Sequence, residues 1–241
     1  GSLSSAEILT LLYFEIMNID PTDPKLPERD KFVLSKGHCS PLLYATLARR
    51  GYFDVGELST FRKIGSRLQG HPDMHLLPGV EISTGSLGQG ISASVGIALA
   101  QKLDKSSAYT YVLCGDGELD EGIVWEAAMA AAHFNLNNLI VFVDHNGLQI
   151  DGETENVMDL GDIHKKFDSF GFNVIHVDDG HDYDKIRAAV GAAKKSESKP
   201  SAIICKTIKG KGVSFMENNA AWHGKAPNEE QTIKALTELE A

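Results

Sequence analysis

The chain has 241 residues, with 33 acidic against 23 basic side chains and a formal charge of −10 at pH 7. That length supports a core without disulfide staples, and the acidic balance excludes a nucleic-acid groove or an anionic membrane surface as the main partner. Cys39, Cys114 and Cys205 form no CxxC pair, no apolar run reaches bilayer length and no signal-peptide pattern opens the chain, so a soluble protein of the reducing cytoplasm is expected.

Ser4-x-x-Glu7 has the spacing of a capping box, and Ile8, Leu9, Leu12 and Ile16 repeat at helical spacing behind it, which predicts an amphipathic first helix. The proline-rich "MNIDPTDPKLPERD" ends it. "KFVLS" reads as a short strand, "LLYATLARRGY" as a helix closed by Gly51, and "VGELSTFRKI" as a further helical stretch. Between Gly65 and Gly90 runs a segment punctuated by glycine and proline, of a length that marks functional or disordered loops.

The pattern then becomes regular. "ISASVGIALAQKL" predicts a helix, "YTYVLC" a buried strand, "IVWEAAMAAAHF" a helix and "NLIVFVD" a second buried strand. "FNVIHV", "YDKIRAAVGAAKK" and "SAIICK" continue the alternation, and a glycine-rich loop and a final short helix close the chain. Continuous apolar strands alternating with helices predict an α/β fold, a doubly wound parallel sheet with helices on both faces, as one domain over residues 1–241.

Ligands of such sheets bind beyond the carboxyl ends of the strands, where "GDGELDEG" and "HNGLQIDG" follow the two most apolar strands. A lone GDG is also the sequence of a tight turn in which Asp116 caps the next helix. Asn146, placed after the neighbouring strand, can bring an amide oxygen to the same point, with the carbonyl of Leu148 two residues further on. Hard oxygen donors in this set suit Mg²⁺, with Ca²⁺ or Mn²⁺ as substitutes, and Gly117 lets a backbone N–H approach a phosphate. Together they describe a diphosphate–metal site.

Six stretches carry a resemblance over essentially the whole chain: "RDKFVLSKGHCSPLLYATL", "QGHPD", "LPGVEISTGSLGQGIS", "GDGELDEGIVWEAA", "VDHNGLQIDG" and "KTIKGKGVSFMENNAAWHGKAP". In order and spacing the chain resembles transketolase, a thiamine diphosphate enzyme. The resemblance implies Asp116, Asn146 and the Leu148 carbonyl as Mg²⁺ ligands and the Gly117 amide as a diphosphate contact. It implies His38 and Lys209 on the diphosphate side, with Gly85, Ser86 and Leu87 along the aminopyrimidine and the bend of the cofactor. His71 and His223 correspond to residues directed at the reacting carbon and the sugar hydroxyls, His223 also bordering the cofactor. Glu121 and Glu126 fall where the family has acids at the subunit junction. Glu118 and Asp120 are read as helix-start charges, and His75, His133, His145, His164, His176 and His181 as structural.

A whole transketolase chain carries a pyrimidine-binding domain and a carboxy-terminal domain that have no counterpart here. The expected protein is therefore the amino-terminal subunit of a split transketolase, or that part of a larger chain. With a carboxy-terminal partner subunit, in a two-fold heterotetramer, it would transfer a two-carbon ketol unit between sugar phosphates in pentose phosphate chemistry. The alternatives are a relative with other sugar specificity, such as a branched-pentose phosphate transketolase or a deoxyxylulose phosphate synthase-like protein, and a non-catalytic cofactor-binding module.

Overall fold

The computed structural model describes residues 1–240. Its main sheet is built from β1 (Lys31–Leu34), β2 (Thr110–Gly115), β3 (Leu139–His145), β6 (Asn173–Val177) and β7 (Ser201–Lys206), with a small hairpin of β4 (Leu148–Gln149) and β5 (Gly152–Glu153) beside it. The five strands lie in the order β1-β2-β3-β7-β6 and every pairing among them is parallel. Successive side chains of a strand point to opposite faces. Tyr111 and Leu113 accordingly pack with α1 (Ala6–Leu11), α2 (Ser40–Arg50) and α7 (Tyr183–Ala193), while Val112 and Cys114 pack with α3 (Gln89–Leu103), α4 (Gly122–His133) and α6 (Ile163–Ser169). Both faces are covered, which is why the strands read as unbroken apolar runs rather than alternating ones.

β1 leaves its carboxyl end toward α2 on one face, and β2 leaves toward α4 on the other. A crevice opens where neighbouring strands diverge in this way. No helix of the described residues is long and apolar enough to cross a membrane, and all three cysteines are buried free thiols.

The first helix differs from its expected start. Ser4 caps nothing; its hydroxyl lies 2.9 Å from the Gly1 carbonyl oxygen and 2.7 Å from Asp144 Oδ2, and Glu7 meets His181 Nδ1 at 3.0 Å. A buried carboxylate attracts the hydroxyl more strongly than a helix amide does. "VGELST" is a 3₁₀ segment, Val55–Thr60, opened by Asp54, whose carboxylate accepts from the Gly56 N–H at 2.6 Å. The β4–β5 hairpin, α5 (Thr154–Val157) and α6 were not expected, because elements of two to seven residues carry too little periodicity to stand out.

Candidate active site

The parallel register pairs Gly115 with Asp144, so the turns leaving β2 and β3 start side by side. Asp116 then laces them together: its Oδ1 accepts from the Gly117 N–H at 2.9 Å and its Oδ2 from the Gly147 N–H at 2.5 Å. Asn146 Oδ1 accepts from the Leu148 N–H at 3.1 Å, and its Nδ2 donates to Asp144 Oδ2 at 3.0 Å. Burial, with the nearby charge of Asp144, pushes the Asp116 carboxyl up to about 6, against the pull of its two amide donors. A dication beside it would reverse that penalty. One carboxylate, one amide oxygen and one carbonyl make a hard-oxygen donor set that fits Mg²⁺. No group of three or more His, Cys, Asp or Glu side chains gathers in a metal-holding arrangement among the described residues, so a metal here would rely on amide and carbonyl oxygens beside the single carboxylate of Asp116. Gly117 has a nearer reason to be glycine than an open approach for phosphate: a Cβ there would collide with Gln149 Oε1 of the hairpin.

Two buried acids that the sequence pattern does not single out hold this end. Asp144, fully buried, accepts from Lys36 Nζ at 2.5 Å, from Ser4 Oγ and, in a short contact, from Thr207 Oγ1. Burial alone would raise its pKa, but Lys36 and the two hydroxyls hold it well below the carboxylate range. Lys36 has the mirror behaviour, with burial opposing its charge and Asp144 outweighing burial to raise its pKa. Glu118 corrects its reading as a helix-start charge. It is 2% exposed, and its carboxylate accepts from Ser35 Oγ at 2.5 Å and from the Gly88 and Gly115 amides at 2.9 and 3.0 Å. It pins the loop before α3 to the ends of β1 and β2. Asp120 stays exposed in the first turn after Asp116, as expected.

At the other end of the crevice three loops interlock. The His38 and His223 rings stack with centroids 4.9 Å apart, and His223 Nδ1 lies 2.9 Å from Lys209 Nζ. Burial lowers the pKa of His38 to about 4 and that of His223 to about 3, with neighbouring cations, including Lys36 and Lys209, adding to the effect. Burial, and Lys36 after it, likewise lowers the pKa of Lys209. A charged ammonium has no lone pair to offer, so Nδ1 of His223 is the acceptor and its proton sits on Nε2. His71 is exposed, but its backbone is fixed from α2: Tyr44 Oη donates to the Gln69 and His71 carbonyls at 2.8 and 3.2 Å, and Ser40 Oγ to the Gly70 carbonyl at 2.8 Å. Gly85, at φ 147°, lies against the His71 ring, where a Cβ would come within 2.8 Å of Cγ.

These residues line one cleft of about 620 Å³ that reaches from Asp116 and Asn146 past Gly85 and Leu87 to His38, His71, Lys209 and His223. Leu148, Gly117 and Glu121 also face it, whereas Ser86 and Glu126 are exposed outside its lining. Among the remaining histidines, His181 is tied between Glu7 and the Ile208 N–H. His164 and His176 pack edge to face at 4.9 Å, and His75 is on the surface.

The family model described as transketolase, thiamine diphosphate binding domain, matches residues 1–239. A 6-deoxy-6-sulfo-D-fructose transketolase subunit of Clostridium sp. (strain MSTE9) is 48% identical over 240 residues, covering 100% of this chain and 87% of that protein. One of the apulose-4-phosphate transketolase subunits of Phocaeicola vulgatus is 44% identical, with 99% of this chain and 84% of that one covered. Among solved structures, transketolase from Campylobacter jejuni superposes with a TM-score of 0.91 at 38% identity, covering 99% of this chain but only 38% of that one.

Proposed function

The chain belongs to the transketolase thiamine diphosphate-binding family, and from that premise we propose that it is the amino-terminal subunit of a split transketolase. With a partner subunit it moves a two-carbon ketol group from a ketose to an aldose phosphate. The observation that carries this reading is the cleft itself, which joins an oxygen-donor end at Asp116, Asn146 and Leu148 to a histidine end at His38, His71 and His223.

Thiamine diphosphate, when bound, supplies the nucleophilic carbon and electron sink that carbon–carbon cleavage requires. Asp116, Asn146 and the Leu148 carbonyl are the residues to hold Mg²⁺, which Ca²⁺ or Mn²⁺ can replace, and through it the diphosphate. Lys209, His38, Gly85 and Leu87 line the same cleft; Lys209 and His38 would border the diphosphate and Gly85 and Leu87 would wall the cofactor beside it. His223, neutral with its proton on Nε2, offers a donor for a sugar hydroxyl, and His71 faces the same space from the opposite loop. Glu121 and Glu126 are assigned to the junction with neighbouring subunits.

The relatives that match along most of their length carry the name of subunits, which supports a separate partner bearing the pyrimidine-binding domain and a two-fold assembly of heterodimers. A cytoplasmic place in pentose or related sugar metabolism fits this chemistry. The test combines the chain with that partner, Mg²⁺ and thiamine diphosphate, and screens ketose donors against aldose phosphates. Sulfofructose and apulose 4-phosphate come first, because the relatives are named for them, followed by xylulose 5-phosphate. A product two carbons longer than the acceptor is expected; no transfer from any donor would overturn the reading.

A further inference from the structure

The turn between β6 and α7 carries a histidine that takes no part in the cleft. Asp178 and Asp179 face solvent, but the chain then turns inward: the Gly180 N–H donates to the Lys206 carbonyl at 2.7 Å, and the His181 N–H donates to Asp179 Oδ1 at 3.0 Å. Gly180 is needed there, since a Cβ would come within 2.6 Å of Thr207 Cγ2. The side chain of His181, 9% exposed, is thereby seated between two distant segments, with Nδ1 3.0 Å from Glu7 Oε2 in the first turn of α1 and Nε2 2.9 Å from the Ile208 amide nitrogen. A backbone N–H can only donate, so Nε2 is the acceptor and the ring's proton sits on Nδ1, directed at the carboxylate.

Ile208 immediately precedes Lys209, and the segment past the end of β7 is held one residue at a time. The Thr207 N–H donates to the His145 carbonyl at 3.1 Å and the Lys209 carbonyl accepts from the Asn218 N–H at 2.9 Å, both backbone to backbone, whereas the Ile208 N–H is met by the imidazole. A backbone donor that has left its strand needs such an acceptor. Lys209 is 3% exposed, and burial and the Lys36 charge act against its ammonium more than the nearby Asp144 and Asp116 favour it. That ammonium meets His223 Nδ1 at 2.9 Å, a partner standing on another loop, so the place of the lysine is set by how firmly the backbone on either side of it is held.

We propose that Glu7 and His181 form a positioning relay for Lys209: the carboxylate fixes the ring, the ring fixes the Ile208 amide, and the amide fixes where the ammonium of the next residue stands in the cleft. This rests on the transketolase reading above, in which Lys209 borders the diphosphate. Neither Glu7 nor His181 lines the cleft, whereas Lys209 does, so the pair acts on a phosphate-bearing cofactor only through the lysine. Linked hydrogen bonds polarise one another, and the carboxylate on Nδ1–H strengthens Nε2 as an acceptor.

The test titrates thiamine diphosphate by calorimetry into the chain assembled with its partner subunit and Mg²⁺. His181→Asn retains a side-chain amide near the place of Nδ1, within reach of Glu7, but offers nothing to Ile208; His181→Gln puts an amide oxygen near the place of Nε2. Affinity is expected to fall about tenfold in His181→Asn, the scale of one misplaced charge-assisted contact, and to return most of the way in His181→Gln. In a Lys209→Met background His181→Asn should add no further loss, because the lysine it acts through is gone. Hydrogen exchange at the Ile208 amide gives a readout independent of the cofactor, faster in His181→Asn and protected again in His181→Gln. If His181→Asn does not fold, Glu7→Ala releases the ring from its other side, with affinity about threefold weaker and again no added loss over Lys209→Met. Equal losses in His181→Asn and His181→Gln, losses that add to that of Lys209→Met, or unchanged Ile208 exchange would overturn the relay while leaving wild-type cofactor binding intact. A wild-type assembly that binds no thiamine diphosphate would overturn the transketolase reading, and the relay with it.

Discussion

The two ends of the cleft are built on different principles. At the oxygen-donor end, Asp116 and Asn146 stand on turns that leave adjacent strands of one sheet, and backbone amides at 2.5 to 3.1 Å already fix their oxygens. At the histidine end, His38, His71 and His223 come from loops that are distant in sequence, held by ring stacking, a lysine contact and the clasp of α2 on the 69–71 backbone. The first is positioned by sheet register and the second by tertiary packing of loops. On the proposed function, a carboxylate that is to meet a metal gains from the rigid strand end, whereas imidazoles that are to serve a changing substrate gain from segments able to adjust.

The most severe way to break the contrast is to remove what both ends share. Asp144 ties Ser4, Lys36, Asn146 and Thr207 together beneath the cleft. Asp144→Ala leaves the Lys36 ammonium buried without its partner, and a loss of about 3–5 kcal/mol is expected, read by urea denaturation. A loss below about 1 kcal/mol would mean that the two ends do not depend on this ion pair.

Gly85→Ala strikes the histidine end and the cleft wall beside it, and leaves the turns of Asp116 and Asn146 untouched. It places a methyl 2.8 Å from the His71 ring at φ 147°, and a cost of about 1–3 kcal/mol follows from such strain. Thermal denaturation should show that loss, while metal-dependent cofactor affinity falls less than donor turnover does. Equal losses would merge the two ends into one unit.

Ser4→Ala is the mildest perturbation of folding. It removes one hydrogen bond to Asp144 and should cost about 1 kcal/mol by the same measurement. A Glu7→Ala variant separates this from capping, since a reciprocal capping box would make the two effects interdependent.

Proton titration sharpens the contrast without a mutation. His38 and His223 have folded-state pKa values of about 4 and about 3, against 6.5 for the free group. The unfolded chain therefore binds more protons between those values, so the stability these groups contribute is full above pH 6.5 and is lost as pH falls toward 4 and below. Nitrogen-detected NMR of the two rings should show neutral imidazole at pH 6, with His223 protonated on Nε2. A midpoint near 6.5 for either ring would contradict their burial.

The strand-end half of the site is legible in the sequence because two continuous apolar runs each finish in a polar, glycine-bearing turn, and the parallel sheet then brings Asp116 beside Asn146. The loop half is legible only through resemblance, since nothing local in "GHPD" or "WHGK" shows that the two meet. The buried acids escape both routes. Glu118 pairs with Ser35 across 83 residues and Lys36 with Asp144 across 108, and a buried charge reads like a surface one until its partner is known. A signal was present nonetheless: Asp144 directly, and Lys36 after a single serine, each follow a fully apolar strand segment, where an ordinary solvated charge is out of place. The capping-box reading of Ser4 failed for the same reason, as a distant carboxylate claimed the hydroxyl.

The central claim is that Asp116, with Asn146 and Leu148, anchors thiamine diphosphate through a divalent metal at the strand end. Calorimetric titration of thiamine diphosphate into the chain assembled with its partner, with Mg²⁺ and then with EDTA, tests it most directly. Binding that requires the metal and weakens by about two orders of magnitude or more in Asp116→Ala, a loss of roughly 3 kcal/mol, is the predicted result. Affinity unchanged by EDTA or by that substitution would contradict it.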